Sequence, residues 1–126
     1  MAKWVMWNKN PFGRAVGDCA VRAVSVALAV DWDTAYSMIA AKGYQLKDMP
    51  SSNSVWGAIL RDNGYSRYAI PNTCPDCYTV GDFADEIPQG VSVVATSGHV
   101  VTIKDGIVLD SWDSRNEIPQ FYWTKG

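Results

Sequence analysis

The run Gly17-Asp18-Cys19-Ala20-Val21-Arg22-Ala23-Val24-Ser25-Val26-Ala27-Leu28 constrains the fold more than any other stretch. A turn of small and acidic residues opens a segment that is apolar on nearly every side of a helix. Such a helix cannot lie on a surface, so it must pack against a sheet and a neighbouring helix. Cys19, Arg22 and Ser25 or Val26, spaced i, i+3 and i+6 or i+7, share one face. Cys19 falls in the first turn, where free backbone N–H groups and the helix dipole favour negative charge. A thiol in that setting has a lowered pKa and is a better nucleophile. A buried helix also carries cysteine for packing alone, so the chemistry depends on what the rest of the chain brings to Cys19.

The remaining elements follow from caps, breakers and hydrophobic period. Residues 3–7 (KWVMW) read as a short strand or an apolar arm, and Asn8 to Arg14 as a loop punctuated by Asn-Pro and Gly. The first helix spans residues 18–30. Asp31 caps a second over residues 32–41, ended by Gly43. Ser52 or Asn53 caps a third, whose stripe is Val55, Trp56, Ile59 and Leu60 and whose stop is Gly64. Residues 65–70 are extended. Cys74-Pro75-Asp76-Cys77 is a tight turn, and Thr79 with Asp82 forms a capping box for a short helix closed by Pro88. The period then changes to that of strands at residues 91–95, 99–103, 107–110 and 120–124, with Asp105-Gly106 as a tight hairpin turn. Helices first and an antiparallel meander after them make a single α+β domain, one layer of helices on a C-terminal sheet.

The chain has a single histidine, His99, directly after the Thr96-Ser97-Gly98 turn. At a strand start it projects from the sheet edge, where an imidazole meets a facing helix N-terminus. A thiol nucleophile needs such an imidazole within hydrogen-bond reach. Counting outward from Asp105-Gly106, Lys104 faces Ile107, Ile103 faces Val108, Thr102 faces Leu109 and Val101 faces Asp110. His99 and Asp110 are then diagonal neighbours at the open end of the hairpin, close enough for the carboxylate to orient the ring. Asp113 is the substitute in another register. The oxyanion of an acyl-transfer intermediate needs donors. The Cys19 N–H is one, and Asn10, Asn8 and Arg14 in the preceding loop are the side-chain candidates. Arg22, one turn beyond Cys19, pairs with Asp18 or adds positive potential beside the thiolate. Trp112 shields the acid–imidazole contact or packs in the core.

A cysteine opening a buried helix, Gly98-His99-Val100-Val101 opening a strand and Leu109-Asp110-Ser111-Trp112 ending the next resemble the papain-like cysteine peptidase superfamily. The likeness is to its small bacterial and phage members, akin to the bacteriocin-processing peptidases. The resemblance implies a papain-like fold, with Cys19 as nucleophile, His99 as general base and acid, and Asp110 as the orienting residue. It implies hydrolysis of a peptide or isopeptide bond, a peptide or protein substrate, and no cofactor. The family places a Gln a few residues before its cysteine as oxyanion donor. Phe12-Gly13-Arg14 stands there in this chain, which leaves the part to Asn10 or Asn8.

Charge and cysteine usage bound the alternatives. A net charge of −2 with no basic block disfavours binding to a nucleic-acid backbone. The start of the chain lacks a signal-peptide h-region and no stretch reads as a membrane span, so a cytoplasmic protein is expected. Cys74-x-x-Cys77 is the rival site. A zinc centre would have to recruit Cys19 and His99 as well, and a redox role would need a strand-to-helix junction. A structural turn, clipped by a reversible disulfide, is the simpler expectation. A papain-like binding module without catalysis, acting on a host or phage protein, is the alternative from outside enzymology.

Overall fold

The structure, a computed structural model, describes residues 2–125. In chain order its elements are β1 (Lys3–Met6), α1 (Cys19–Leu28), α2 (Trp32–Leu46), α3 (Asn53–Asp62), β2 (Tyr65–Ala69), α4 (Val80–Glu86), β3 (Val91–Thr96), β4 (His99–Lys104), β5 (Ile107–Asp110) and β6 (Phe121–Lys125). This is an α+β domain. Among the described residues, no helix is long and apolar enough to cross a membrane.

The strands form one six-stranded sheet in the order β1-β5-β4-β3-β6-β2. The meander β3-β4-β5 is antiparallel, as its turn chemistry requires. Asp105 and Gly106 both have positive φ (51° and 77°), the geometry of a two-residue hairpin turn that right-twisted strands favour. The counted register holds: Lys104 pairs with Ile107, Ile103 with Val108 and Thr102 with Leu109. The expected purely C-terminal antiparallel sheet needs correction at both edges. β1 pairs with β5 in parallel, Met6 opposite Asp110, which makes the sheet mixed. β2 pairs with β6 on the far side. Segments from before the meander thus complete the sheet at each end.

A single helical layer is also corrected, because helices cover both faces. Val93, Ala95 and Val100 pack with α1, α2 and α3 in one apolar cluster that includes the fully buried Trp56. Val94, Val101 and Ile103 pack on the other face with Val80, Phe83 and Ala84 of α4. This two-sided burial explains why Val91 to Thr96 and His99 to Lys104 read as runs of β-branched residues rather than as an alternation.

Local signals set the helix ends. Asp31 Oδ1 accepts from the Thr34 N–H at 2.7 Å, an N-cap. Thr79 and Asp82 exchange side-chain-to-backbone bonds in a capping box. The expected end of α2 at Gly43 is wrong. The helix runs on to Leu46, and Lys47, with φ 55°, takes the left-handed cap. Gly43 is there for a close approach: a Cβ at this position would stand 3.0 Å from the Asp48 carbonyl oxygen. The first helix is shorter than residues 18–30, with Asp18 as its N-cap residue and Ala29 as its left-handed C-cap.

Candidate active site

The N-terminus of α1 abuts the start of β4, which brings Cys19 beside His99. The two-residue turn at Ser97-Gly98, with Gly98 at φ 75°, sets His99 opposite Thr96 at the open end of the hairpin. β5 returns on the other side of β4 and ends at Asp110. His99 Nε2 lies 2.7 Å from Asp110 Oδ2. Cys19 and His99 line the same cleft, and with Nε2 taken by Asp110 the ring nitrogen left to act on the Cys19 thiol is Nδ1. Cys19, His99 and Asp110, expected together from the sequence, are together.

The electrostatics of the three follow from their neighbours. Burial of Cys19 would raise its pKa. The hydrogen bonds from His99 and from the Val100 backbone N–H, together with the charges of His99 and Arg22, outweigh this and hold the thiol below its ordinary value. Burial of His99 would lower its pKa. Hydrogen bonds and charge from Asp110 and Cys19 override it, and the imidazole is pushed up to about 9. Burial of Asp110 is likewise outweighed, by bonds from His99, Ser114 and the Ser111 backbone, and its carboxyl lies below the usual range. The arrangement favours a thiolate–imidazolium pair with the carboxylate behind it.

Asp110 is a hub. Its Oδ1 accepts from Arg22 Nη2 at 3.0 Å and from the Ser111 N–H at 2.7 Å. Its Oδ2 accepts from Ser114 Oγ at 2.6 Å besides the imidazole. Its backbone carbonyl takes the Trp7 N–H and the Trp4 indole, which ties β1 to the site. Arg22 also pairs with Asp18, as expected, and Asp18 Oδ2 accepts from the Trp32 indole at 2.9 Å. Asp18, Arg22 and Asp110 are all buried. From Asp18 through Arg22, Asp110 and His99 to Cys19 the charges alternate in sign, so each has an opposite neighbour. Because the Asp18 carboxylate is turned inward, it makes no side-chain cap for α1. The first N–H groups of the helix, Cys19's included, are thus left without a side-chain cap from Asp18.

Asn8, Asn10 and Arg14, the candidates for the oxyanion donor, do not line the Cys19 cleft. Asn8 Nδ2 donates to the Arg14 carbonyl, and Asn10 Oδ1 accepts the Phe12 and Arg14 N–H groups. They fold their own loop. Asn10 and Arg14 line a neighbouring pocket, not the Cys19 cleft. That cleft, about 570 Å³, is instead walled by Asn53 and Ser51 from the start of α3 and by His99, Ser111 and Trp112. The Trp56 indole donates to Asn53 Oδ1 at 3.2 Å, which fixes the amide orientation and leaves its NH2 as a donor. Arg22–Asp110, Ser114 and Asn53 all escaped the sequence reading. Asn53 carried a faint signal as a polar residue at a helix start. Trp112 tilts against the imidazole, ring centroids 4.8 Å apart, rather than over the acid alone. Asp113 pairs with Arg115 at the surface and takes no part. Cys74 and Cys77 are joined as a disulfide on the loop between β2 and α4, and neither lines the cleft.

A pH dependence of stability follows from His99. Its pKa is raised from 6.5 to about 9, so the native state holds a proton that the unfolded state has released. The contribution is fully present below 6.5 and is lost as pH rises through about 9. The melting temperature is therefore expected to fall as pH is raised through 9, and His99→Gln is expected to flatten that limb. An identical alkaline limb in both proteins would show that His99 is not the group responsible.

No family model, no curated protein and no solved structure matches the chain.

Proposed function

We propose that the protein is a papain-like thiol hydrolase that cleaves peptide or isopeptide bonds. The observation that carries this is His99 held between the Asp110 carboxylate, at 2.7 Å, and the Cys19 thiol at a helix start. The layout supports it: the thiol rides on a buried helix, while imidazole and acid come from adjacent strands. In the first step the Cys19 thiolate adds to the substrate carbonyl carbon. Negative charge moves to the oxygen, and in this reading its donors are the Cys19 N–H and the amide of Asn53, which lines the same cleft. The C–N bond then breaks, and the proton on His99 goes to the departing nitrogen, leaving a thioester on Cys19. In the second step His99 takes a proton from water, hydroxide oxygen bonds to the acyl carbon, and the thiolate leaves. Asp110 holds the ring in place throughout and stabilises its protonated form.

Alkylation of Cys19 by iodoacetamide across pH is the direct test. A free thiol, with pKa near 8.5, is about 0.1% thiolate at pH 5.5. With the pair in place, labelling of Cys19 is expected to stay fast from neutral pH down to about pH 5.5. A rate that falls tenfold for each pH unit below 8, as for a free thiol, rules out the thiolate pair and with it this function.

A further inference from the structure

To orient an imidazole, a carboxylate needs only the bond to the ring. Asp110 has three more partners, and one of them is a buried cation. Arg22 Nη2 and the Ser111 N–H donate to its Oδ1, while Ser114 Oγ donates to Oδ2, where His99 Nε2 also lies. Four partners fill the acceptor capacity of a carboxylate and hold its plane fixed. Arg22 is one turn beyond Cys19 on α1, and Asp110 is the last residue of β5. The other Nη of the same guanidinium holds Asp18, the residue before Cys19. One planar fork therefore ties the helix that carries the thiol to the strand that carries the acid.

Charge matters as well as geometry. His99 must hold a proton and then give it to the leaving nitrogen. A buried carboxylate with no other partner would bind that proton more tightly. A cation on the far oxygen draws charge away from the ring and disfavours the imidazolium. We propose that Arg22 is a positioning residue for the reaction. It acts through Asp110, fixing the carboxylate against the imidazole and limiting its hold on the proton, and Asp18 sets how much of the arginine's charge reaches Asp110. The inference rests on the hydrolase reading above. Among the described residues, the groups concerned form a closed set. Asp110 and Cys19 act on His99. Arg22 and His99 pair with Asp110, and Asp18 pairs with Arg22 alone. The charge of Arg22 also helps to hold the Cys19 thiol below its ordinary value.

Because His99 is the single histidine of the chain, the tag-free protein gives one imidazole Cε1–H signal in NMR, and titrating it reads the ring directly. With Arg22 in place the ring stands at about 9. Arg22→Gln keeps donors and removes the charge, and is expected to move the titration up by at least about half a pH unit. Asp18→Asn keeps an acceptor for the Trp32 indole and leaves Arg22 to Asp110 alone. Its shift is expected to be downward. Arg22→Lys retains the charge and should titrate close to wild type. In Arg22→Gln the acid limb of Cys19 labelling by iodoacetamide should also move up in pH, because the thiol loses the same charge. A residue that only supported the fold would lower the melting temperature and leave the His99 titration where it was. If Arg22→Gln does not fold, Asp18→Asn carries the test by itself. An unshifted titration in Asp18→Asn and in every Arg22 variant that folds, with wild-type labelling still fast at pH 5.5, overturns the role of Arg22 and leaves the hydrolase reading intact. An upward shift in Asp18→Asn overturns it equally. Slow wild-type labelling at pH 5.5 overturns the hydrolase reading, and the role of Arg22 with it.

Discussion

Arg22→Met is expected to destabilise the fold by about 3–5 kcal/mol, the usual cost of stripping one partner from a buried ion pair. For a chain of this length that is roughly a 10–20 °C fall in melting temperature, and a large share of the 5–15 kcal/mol that holds a typical domain together. Arg22 is 5% exposed and, among the described residues, is the cation that pairs with both the Asp18 and the Asp110 carboxylates, which are 6% and 1% exposed. Methionine matches much of its volume and none of its donors. Asp18 would then keep only the Trp32 indole, with no cation, while Asp110 would keep His99, Ser111 and Ser114. A buried carboxylate stripped of its cation is costly only while ionised, so the deficit should shrink as pH falls toward 4. Asp18→Asn in the same chain should restore part of the loss, because it removes one uncompensated charge and keeps a hydrogen-bonding group for Trp32. Urea denaturation of the single and double variants at pH 7 and pH 4.5 measures all of this. A loss below about 1 kcal/mol at pH 7, or no recovery in the double variant, would refute the account of Arg22 as the counter-ion of both acids.

The parts of this site that a reader of the sequence can find are those fixed by local chemistry. Asp105-Gly106 admits one tight turn, that turn sets the register of β4 against β5, and the register brings His99 to Asp110. The helix that carries Cys19 announces itself by being apolar all round. What stayed hidden is carried by long-range pairing. Arg22 reaches Asp110 across a separation of 88 residues, and nothing near Arg22 marks its second partner. Lys3 to Met6 has strand composition but no signal for the edge it joins, so its parallel pairing with β5 was not foreseeable. Elsewhere the signal was present and pointed two ways. Gly43 has the composition of a helix stop, but here it lets Asp48 and Pro50 approach the helix. Asn8 and Asn10 were candidate oxyanion donors because they are amides in the loop before Cys19. Their affinity for nearby backbone is what makes that loop, and it holds them away from the Cys19 cleft.

His99→Ala is expected to cost Cys19 most of its reactivity at acidic pH. The two residues depend on each other: His99 is a principal cause of the lowered thiol pKa, and Cys19 adds to the rise of the imidazole. Without the imidazole, burial of the thiol is opposed chiefly by the Val100 N–H and the more distant Arg22. Its pKa should return toward the ordinary range. Each unit that a thiol pKa stands above the working pH costs tenfold in thiolate, and returns about threefold in intrinsic nucleophilicity. At pH 5.5 a free thiol is three units from its pKa, so the net deficit of the variant should be on the order of tenfold or more. At pH 9, where an ordinary thiol is largely ionised, the two proteins should label at similar rates, and the variant should be somewhat the faster. A crossover of this kind separates loss of the ion pair from a general loss of access to Cys19, which would slow labelling at every pH. Equal rates at pH 5.5 would mean that the helix N-terminus alone activates the thiol. His99 would then be left to act on the leaving group and on water.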